Sequence, residues 1–202
     1  MAIKGLSIPV FGHYNYDQDT NAVTYTDGFI IPHAISYSLT MEAGDNNPFY
    51  ADNRVVENDI GTFSSGTLSL ETDDLTQEAS KKILGAVEIE RTYGDKTVTT
   101  LIYDDSQDAP TFGFGLIEEH QVSDVTMYKA IWLKKVVFGN PEDAATTRGE
   151  TLEWQSRTVE ASVIRSDEMG DNGNHPWKEE AWFSLESEAL GFLKAMLGVV
   201  SA

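Results

Sequence analysis

Four histidines, 33 acidic residues and no cysteine define the chemistry open to this 202-residue chain. His13 and His33 fall in alternating, strand-like runs. None of His13, His33, His120 and His175 stands at a ligand spacing from another histidine or a carboxylate on a helix. Histidines scattered in this way are ordinarily structural or solvated. The absence of cysteine removes disulfides, thiolate nucleophiles and zinc-thiolate sites together, and fits a protein made in a reducing cytoplasm or one that works on both sides of a redox boundary. The segment Gly61-Thr62-Phe63-Ser64-Ser65-Gly66 has the wrong spacing for a serine-hydrolase elbow. Phe112-Gly113-Phe114-Gly115 lacks the third glycine and the helix start of a phosphate loop, so its glycines read as sites of close approach between strands or rings. Carboxylate pairs occur at Asp73/Asp74, Asp104/Asp105, Glu118/Glu119 and Glu179/Glu180, as this acidic a composition produces by chance. The oxygen-rich stretch 167–174 lacks the alternate ligand positions and closing glutamate of a calcium loop, and reads as a hairpin or arm. No catalytic, cofactor or metal set assembles, and the expectation is a protein that is not an enzyme.

The formal charge of −19 excludes recognition of nucleic acid through a basic patch. It fits plain solubility, and equally a surface that lets a polyanion pass without gripping it; composition does not choose between these. With 41% hydrophobic and 23% charged residues the chain is of ordinary globular composition. A chain of this length can bury roughly 70% of its unfolded surface. Met1-Ala2-Ile3-Lys4-Gly5-Leu6 runs straight into a strand pattern instead of a signal peptide. The apolar runs fall short of the roughly 18 residues that span a bilayer.

The first half of the chain reads by twos. Leu6, Ile8, Val10, Tyr14 and Tyr16 alternate with Ser7, Pro9, His13 and Asn15, and Pro9, without an N–H, points to an edge strand. Asp27-Gly28 gives a turn signal, after which Ile31, His33, Ile35, Tyr37, Leu39 and Met41 share one face and small polar residues the other. Residues 42–58 break the pattern as a long, turn-rich loop. Alternation returns over 63–70. A helix is expected over 74–84, with Asp74 and Gln77 as capping box, an apolar stripe of Leu75, Ala79 and Ile83, Lys81 and Lys82 in the last turn, and Gly85 as its stop. Val87 to Ile102 then alternates about a Gly94-Asp95 turn. Phe112, Phe114 and Leu116 form one strand, and Ser123-Asp124 turns the chain into another over 125–138. There Trp132 beside Leu133 marks a central strand with two apolar faces. A last strand over 150–165 slips phase between Trp154 and Val159, and 187–197 reads as a helix through Leu190, Leu193 and Leu197.

The expected fold is mainly β, a sandwich or barrel of about eight or nine strands with one flanking helix and one C-terminal helix. Residues 1–165 make the main domain; 166–202 add a polar arm and the final helix, packed on the same domain.

Several segments taken in order carry a resemblance: Val23-Thr24-Tyr25-Thr26-Asp27-Gly28, Asn47-Pro48-Phe49-Tyr50-Ala51-Asp52-Asn53, Phe63-Ser64-Ser65-Gly66-Thr67-Leu68, Asp73-Asp74-Leu75, Phe112-Gly113-Phe114-Gly115, Tyr128-Lys129-Ala130-Ile131-Trp132 and Gly149-Glu150-Thr151-Leu152-Glu153-Trp154-Gln155. Over residues 3–165 the chain resembles the major tail (tail-tube) proteins of siphophages, particularly those of Gram-positive hosts. The resemblance implies a tail-tube β-sandwich and homo-hexameric rings stacked into a tube through which DNA passes during ejection. It implies assembly in the host cytoplasm into the virion, no membrane, and tape-measure, tail-tip initiator and tail terminator proteins as partners. By the same analogy Asn47, Pro48, Phe49, Tyr50, Ala51, Asp52 and Asn53 are the candidate inter-subunit loop. Two adjacent aromatics in an over-long loop suit an interface, although the loop folding back on its own domain gives the same pattern. The rival expectation is a carbohydrate- or surface-binding β-sandwich using exposed aromatics such as Trp177 and Trp182. It leaves the order of the segments unexplained.

Overall fold

The computed structural model describes residues 2–44, 47–59, 61–73, 75–105, 108–142, 147 and 155–198. Among these the chain is mainly β, with antiparallel sheets and two helices. The strands are β1 (Ala2–Asp17), β2 (Ala22–Ile30), β3 (Ala34–Ala43), β4 (Asn47–Ala51), β5 (Arg54–Asp59), β6 (Phe63–Thr72), β7 (Val87–Tyr93), β8 (Lys96–Ile102), β9 (Thr111–Val122), β10 (Val125–Phe138), β11 (Arg157–Ile164) and β12 (Lys178–Phe183). Helix α1 (Gln77–Leu84) follows β6, and α2 (Glu186–Met196) follows β12. Eight strands form one sheet in the order β2-β1-β9-β10-β11-β6-β3, with β12 also paired to β10; β4-β5 and β7-β8 are separate two-stranded ribbons.

Strand β10 is central, as its two apolar faces demand. β9 pairs along one edge, while β12 takes Tyr128–Leu133 and β11 takes Lys135–Phe138 on the other. The Ser123-Asp124 turn between β9 and β10 has φ of 47° and 66°, the double left-handed geometry that suits a two-residue hairpin. On the inner face Phe11, Phe112, Phe114, Phe138 and Leu133 share one cluster with Leu68, Leu70, Val159 and Val163 from the opposite end of the sheet. The sheet therefore curls until its ends face each other over a common core, and α1 closes that core with Ile83 and Leu84. On the outer face Val10, Ile117, Ala130 and Trp132 meet Ala189, Leu193 and Leu197 of the α2 segment. Gly12 and Gly113 lie opposite one another in β1 and β9. A Cβ on Gly113 would run into the rings of Trp132 and Tyr25, which meet edge to face at 5.0 Å.

Helix α2 and the Gly85 stop of α1 lie where the periodicity places them. Gly85 has φ 68° and its N–H reaches the Lys81 carbonyl at 3.1 Å. The start of α1 differs: Thr76 is the N-cap, its hydroxyl accepting from the Ala79 N–H at 3.2 Å, so the helix begins at Gln77 rather than 74. Gln77 is thereby the first helical residue and reaches out to the Thr99 carbonyl; Asp74 lies outside the described residues. Asp27-Gly28 is not a turn. β2 runs through it with a bulge opposite Gly12, and the hairpin turn is at 18–21. Pro9 does not mark an edge strand either. β1 is paired on both sides beyond it, and Pro9 sits in a bulge where Ile8 takes φ 53° and needs no ladder N–H. A register shift between Ala34 and Ser36 leaves Ile35 and His33 exposed, while Tyr37, Leu39 and Met41 keep the inner face.

The strand count exceeds the expected figure of about eight or nine because β4, β5 and the short β12 carry too few residues for a clear period. The described residues of 42–58 are not a loop but the end of β3 and the ribbon β4-β5. The last long strand is β11, from Arg157; Glu150 to Trp154 lie outside the described residues. The stretch 167–174 is tied down: the Asp167 N–H donates to Tyr14 Oη at 2.8 Å, and Ser166 N–H to the Pro176 carbonyl at 2.8 Å.

Replacing Gly113 with alanine is expected to cost about 1–3 kcal/mol by overpacking, read as a lower urea midpoint at unchanged slope.

Candidate functional site

The period that buries Phe112, Phe114 and Leu116 on the inner face of β9 carries on to Glu118 and His120, both nearly enclosed. Glu118 is met from two other strands and from its own. The Tyr37 hydroxyl of β3 donates to Oε1; His120 Nε2 lies 2.9 Å and Lys129 Nζ of β10 3.5 Å from Oε2. Lys129 also reaches Glu180 of β12 at 3.0 Å, and the Trp182 ring packs against His120 with centroids 4.8 Å apart. Burial by itself raises the Glu118 pKa, but Tyr37, His120 and Lys129 outweigh it and hold the carboxyl below its usual range. Burial, then the facing carboxylate, push the Tyr37 phenol well above its ordinary value. Both Glu118 oxygens are engaged and the phenol keeps its proton. The arrangement is a polar clasp between β3 and β9, whose strands are otherwise four places apart in the sheet.

Next to it, a groove of about 530 Å³ runs between Ile3–Leu6 of β1 and Ser36–Leu39 of β3, with Trp177 at its wall. His33 and Asp73 form a second pair at 2.6 Å on the surface. Among the described residues no three His, Cys, Asp or Glu side chains converge on a possible metal position. No helix there is long and apolar enough to cross a membrane. The alternation on β9 places 118 and 120 on one face and was legible in the sequence; Tyr37, 81 residues away, was not.

The seven residues singled out from sequence make the first projecting ribbon. Asn47, Pro48, Phe49, Tyr50 and Ala51 are β4, and Asp52 and Asn53, at φ 51° and 60°, are its two-residue turn. Phe49 and Tyr50 are 61% and 63% exposed, and Val55 and Val56 beside them are exposed too. At the base the Gly44 N–H bonds the Thr62 carbonyl at 2.9 Å, and Gly61 lies so close to the Gly44 backbone that no side chain fits. The second ribbon, β7-β8, was expected as a hairpin but not as a projection; Tyr93 at its tip is 83% exposed.

One sheet face has a distinct chemistry. On the outer side of β3, β6 and β11, Ser36, Ser38, Thr40 and Glu42 align with Ser65, Thr67, Ser69 and Glu71, and these with Thr158, Glu160 and Ser162. The aligned positions hold hydroxyls and three glutamates and no Lys or Arg. Hydrogen bonds from Ser156 and Ser36 hold the Glu71 carboxyl below its usual range, and Ser65 donates to Glu42 at 3.0 Å. Several lysines of the sheet and of α1 are committed elsewhere: Lys4 to Glu119, Lys82 to Glu78, Lys134 to Glu179 and Lys135 to Asp167. No protein-family model matches this sequence, and no curated protein matches it significantly.

Because the Glu118 pKa is depressed, its stabilisation is complete above the ordinary carboxylate pKa of about 4.3 and is lost as pH falls through the lower folded value. Glu118→Gln is expected to lower stability near pH 7 by about 1–3 kcal/mol and to flatten the acid limb of a stability-against-pH curve measured by urea unfolding.

Proposed function

We propose that the chain is a structural subunit of the siphophage tail-tube type, polymerising as stacked hexameric rings around a channel for DNA. The observation that carries this reading is the bare face of β3, β6 and β11. A channel wall has to pass a polyanion without holding it. A face of short hydroxyls and carboxylates, free of cations at its aligned positions, repels phosphate and offers no apolar or basic purchase. Further support comes from the β4-β5 ribbon, whose exposed aromatic and β-branched residues suit burial against a neighbouring subunit. The outer edges of β2 and β3, at the two ends of the sheet path, are available for strand addition between subunits, and head-to-tail contacts of that kind extend into rings and filaments. On this reading tape-measure, initiator and terminator proteins are the partners, DNA is in transit only, and the location is the virion after assembly in the host cytoplasm. The tail-tube fold itself is part of the proposal. The rival reading of a glycan-binding module is less well served: Trp177 stacks on Phe63 at 4.5 Å and 8°, which takes one face of its ring out of play.

Two outcomes are expected. Phe49→Ser with Tyr50→Ser leaves the melting temperature of the monomer within a few degrees, roughly as for surface changes, and abolishes assembly seen by sedimentation velocity. Assembly equal to wild type would sink the ribbon's role. Replacing Glu42, Glu71 and Glu160 with lysine yields assemblies that retain duplex DNA in co-sedimentation at low salt, whereas wild-type assemblies do not. If the lysine variant released DNA as freely as wild type, that face would not be the channel wall.

A further inference from the structure

The β7-β8 ribbon separates its charges by face. Pairing of Val87 with Ile102, Arg91 with Val98 and Tyr93 with Lys96 puts Val87, Ile89, Arg91, Tyr93, Lys96 and Val98 on one side. Every charged residue on that side is a cation. Glu88 and Glu90 lie on the other side with Leu101 and threonines. The acidic side leans on α1: Glu88 pairs with Lys81, the Gln77 amide donates to the Thr99 carbonyl at 3.4 Å, and Leu101 faces Leu75, Gln77 and Ser80. The basic side is open, with Val87 53%, Val98 47% and Tyr93 83% exposed. Among the described residues no carboxylate pairs with Arg91 or Lys96, in contrast to the committed lysines of the sheet. A two-stranded ribbon is marginal in water by itself, and an apolar face of this kind calls for a cover.

We propose that this apolar, basic face docks on the acidic surface of a second copy of the chain, as an interface separate from the β4-β5 ribbon. Charge complementarity selects that occupant. A net charge of −19 sets nucleic acid, anionic lipid and a second copy alike against the chain as a whole, so the attraction has to be local. A second copy presents carboxylates such as Asp19, Asp27, Asp124 and Asp171 on exposed turns and bulges, with no ion pair to them among the described residues, and a locally basic face is attracted to these. The inference rests on the proposed function only in taking the partner to be another copy.

The test uses the full chain. In sedimentation velocity, wild-type self-association is expected to weaken as salt rises, and Arg91→Glu with Lys96→Glu to weaken it about tenfold or more at 0.1 M NaCl. Thr97→Glu, which adds charge to the opposite face, leaves it unchanged. Arg91→Gln with Lys96→Gln gives an intermediate loss, and circular dichroism shows all variants folded. Because the chain has no cysteine, Tyr93→Cys gives a unique site for a benzophenone maleimide, which is expected to crosslink to a second copy. A monomeric wild type, charge reversal without effect, crosslinks confined to the same chain, or binding of the basic face to phosphatidylserine vesicles instead would each overturn the proposal. Tubes that form normally from the charge-reversed chain refute this interface and leave the proposed function standing. Self-association through this face without rings or tubes does the opposite.

Discussion

Strands β9 and β10 are apolar on both faces, and a sheet with two apolar faces has to be covered twice. That constraint organises the molecule. The inner cover is the sheet's own far end, since Phe11, Phe112 and Phe114 share a core with Leu68, Leu70 and Val163. The outer cover is α2, through Ala189 and Leu193. Each cover is local. Helix α2 packs chiefly on β1, β9, β10 and β12, so among the described residues the outer face of β3, β6 and β11 is left uncovered by it and has to be polar. The absence of side chains at Gly12 and Gly113 is the corresponding fine adjustment, making room for Trp132 and Tyr25 on the covered side.

The same division places the surfaces open to other molecules. The two ribbons leave the body on either side of β6 and α1, carrying most of the large exposed apolar side chains that do not belong to the sheet. Lysines on β10 are absorbed by Glu118, Glu179, Glu180 and Asp167, which fixes β12 and the 167–174 stretch but leaves the acidic face un-neutralised. The Glu118 clasp holds β3, and with it the root of the β4-β5 ribbon, against β9. Stability and the presentation of the proposed assembly surfaces are thereby linked through one buried carboxylate.

What the sequence discloses here depends on range. Signals settled within a few residues were legible: the Ser123-Asp124 turn, the Gly85 stop, the apolar register of α2 and the central character of β10. Bulges defeated the simple period, because Ile8 and Asp27 in the left-handed region shift phase without a glycine at the shifted residue. Before α1 the cap is Thr76, two residues after the Asp74 expected from the sequence, because both residue types suit that position. β12 is short and highly charged, and only its lysine and aromatic partners on β10 make it a strand. The candidate loop was found by composition, yet its ribbon form depends on two successive left-handed residues, Asp52 and Asn53. The polar face of β3 was visible as small alternating residues; its continuation across β6 and β11 required knowledge of pairing between distant segments.

The central claim is that this chain builds a tube with its acidic hydroxyl face turned inward. Electron microscopy of the purified protein, alone and with tail-tip initiator proteins, tests it most directly. The account predicts hollow tubes or stacked six-fold rings, with β3, β6 and β11 lining the channel in a helical reconstruction. A strictly monomeric protein under all these conditions, or tubes with that face on the outside, would contradict it.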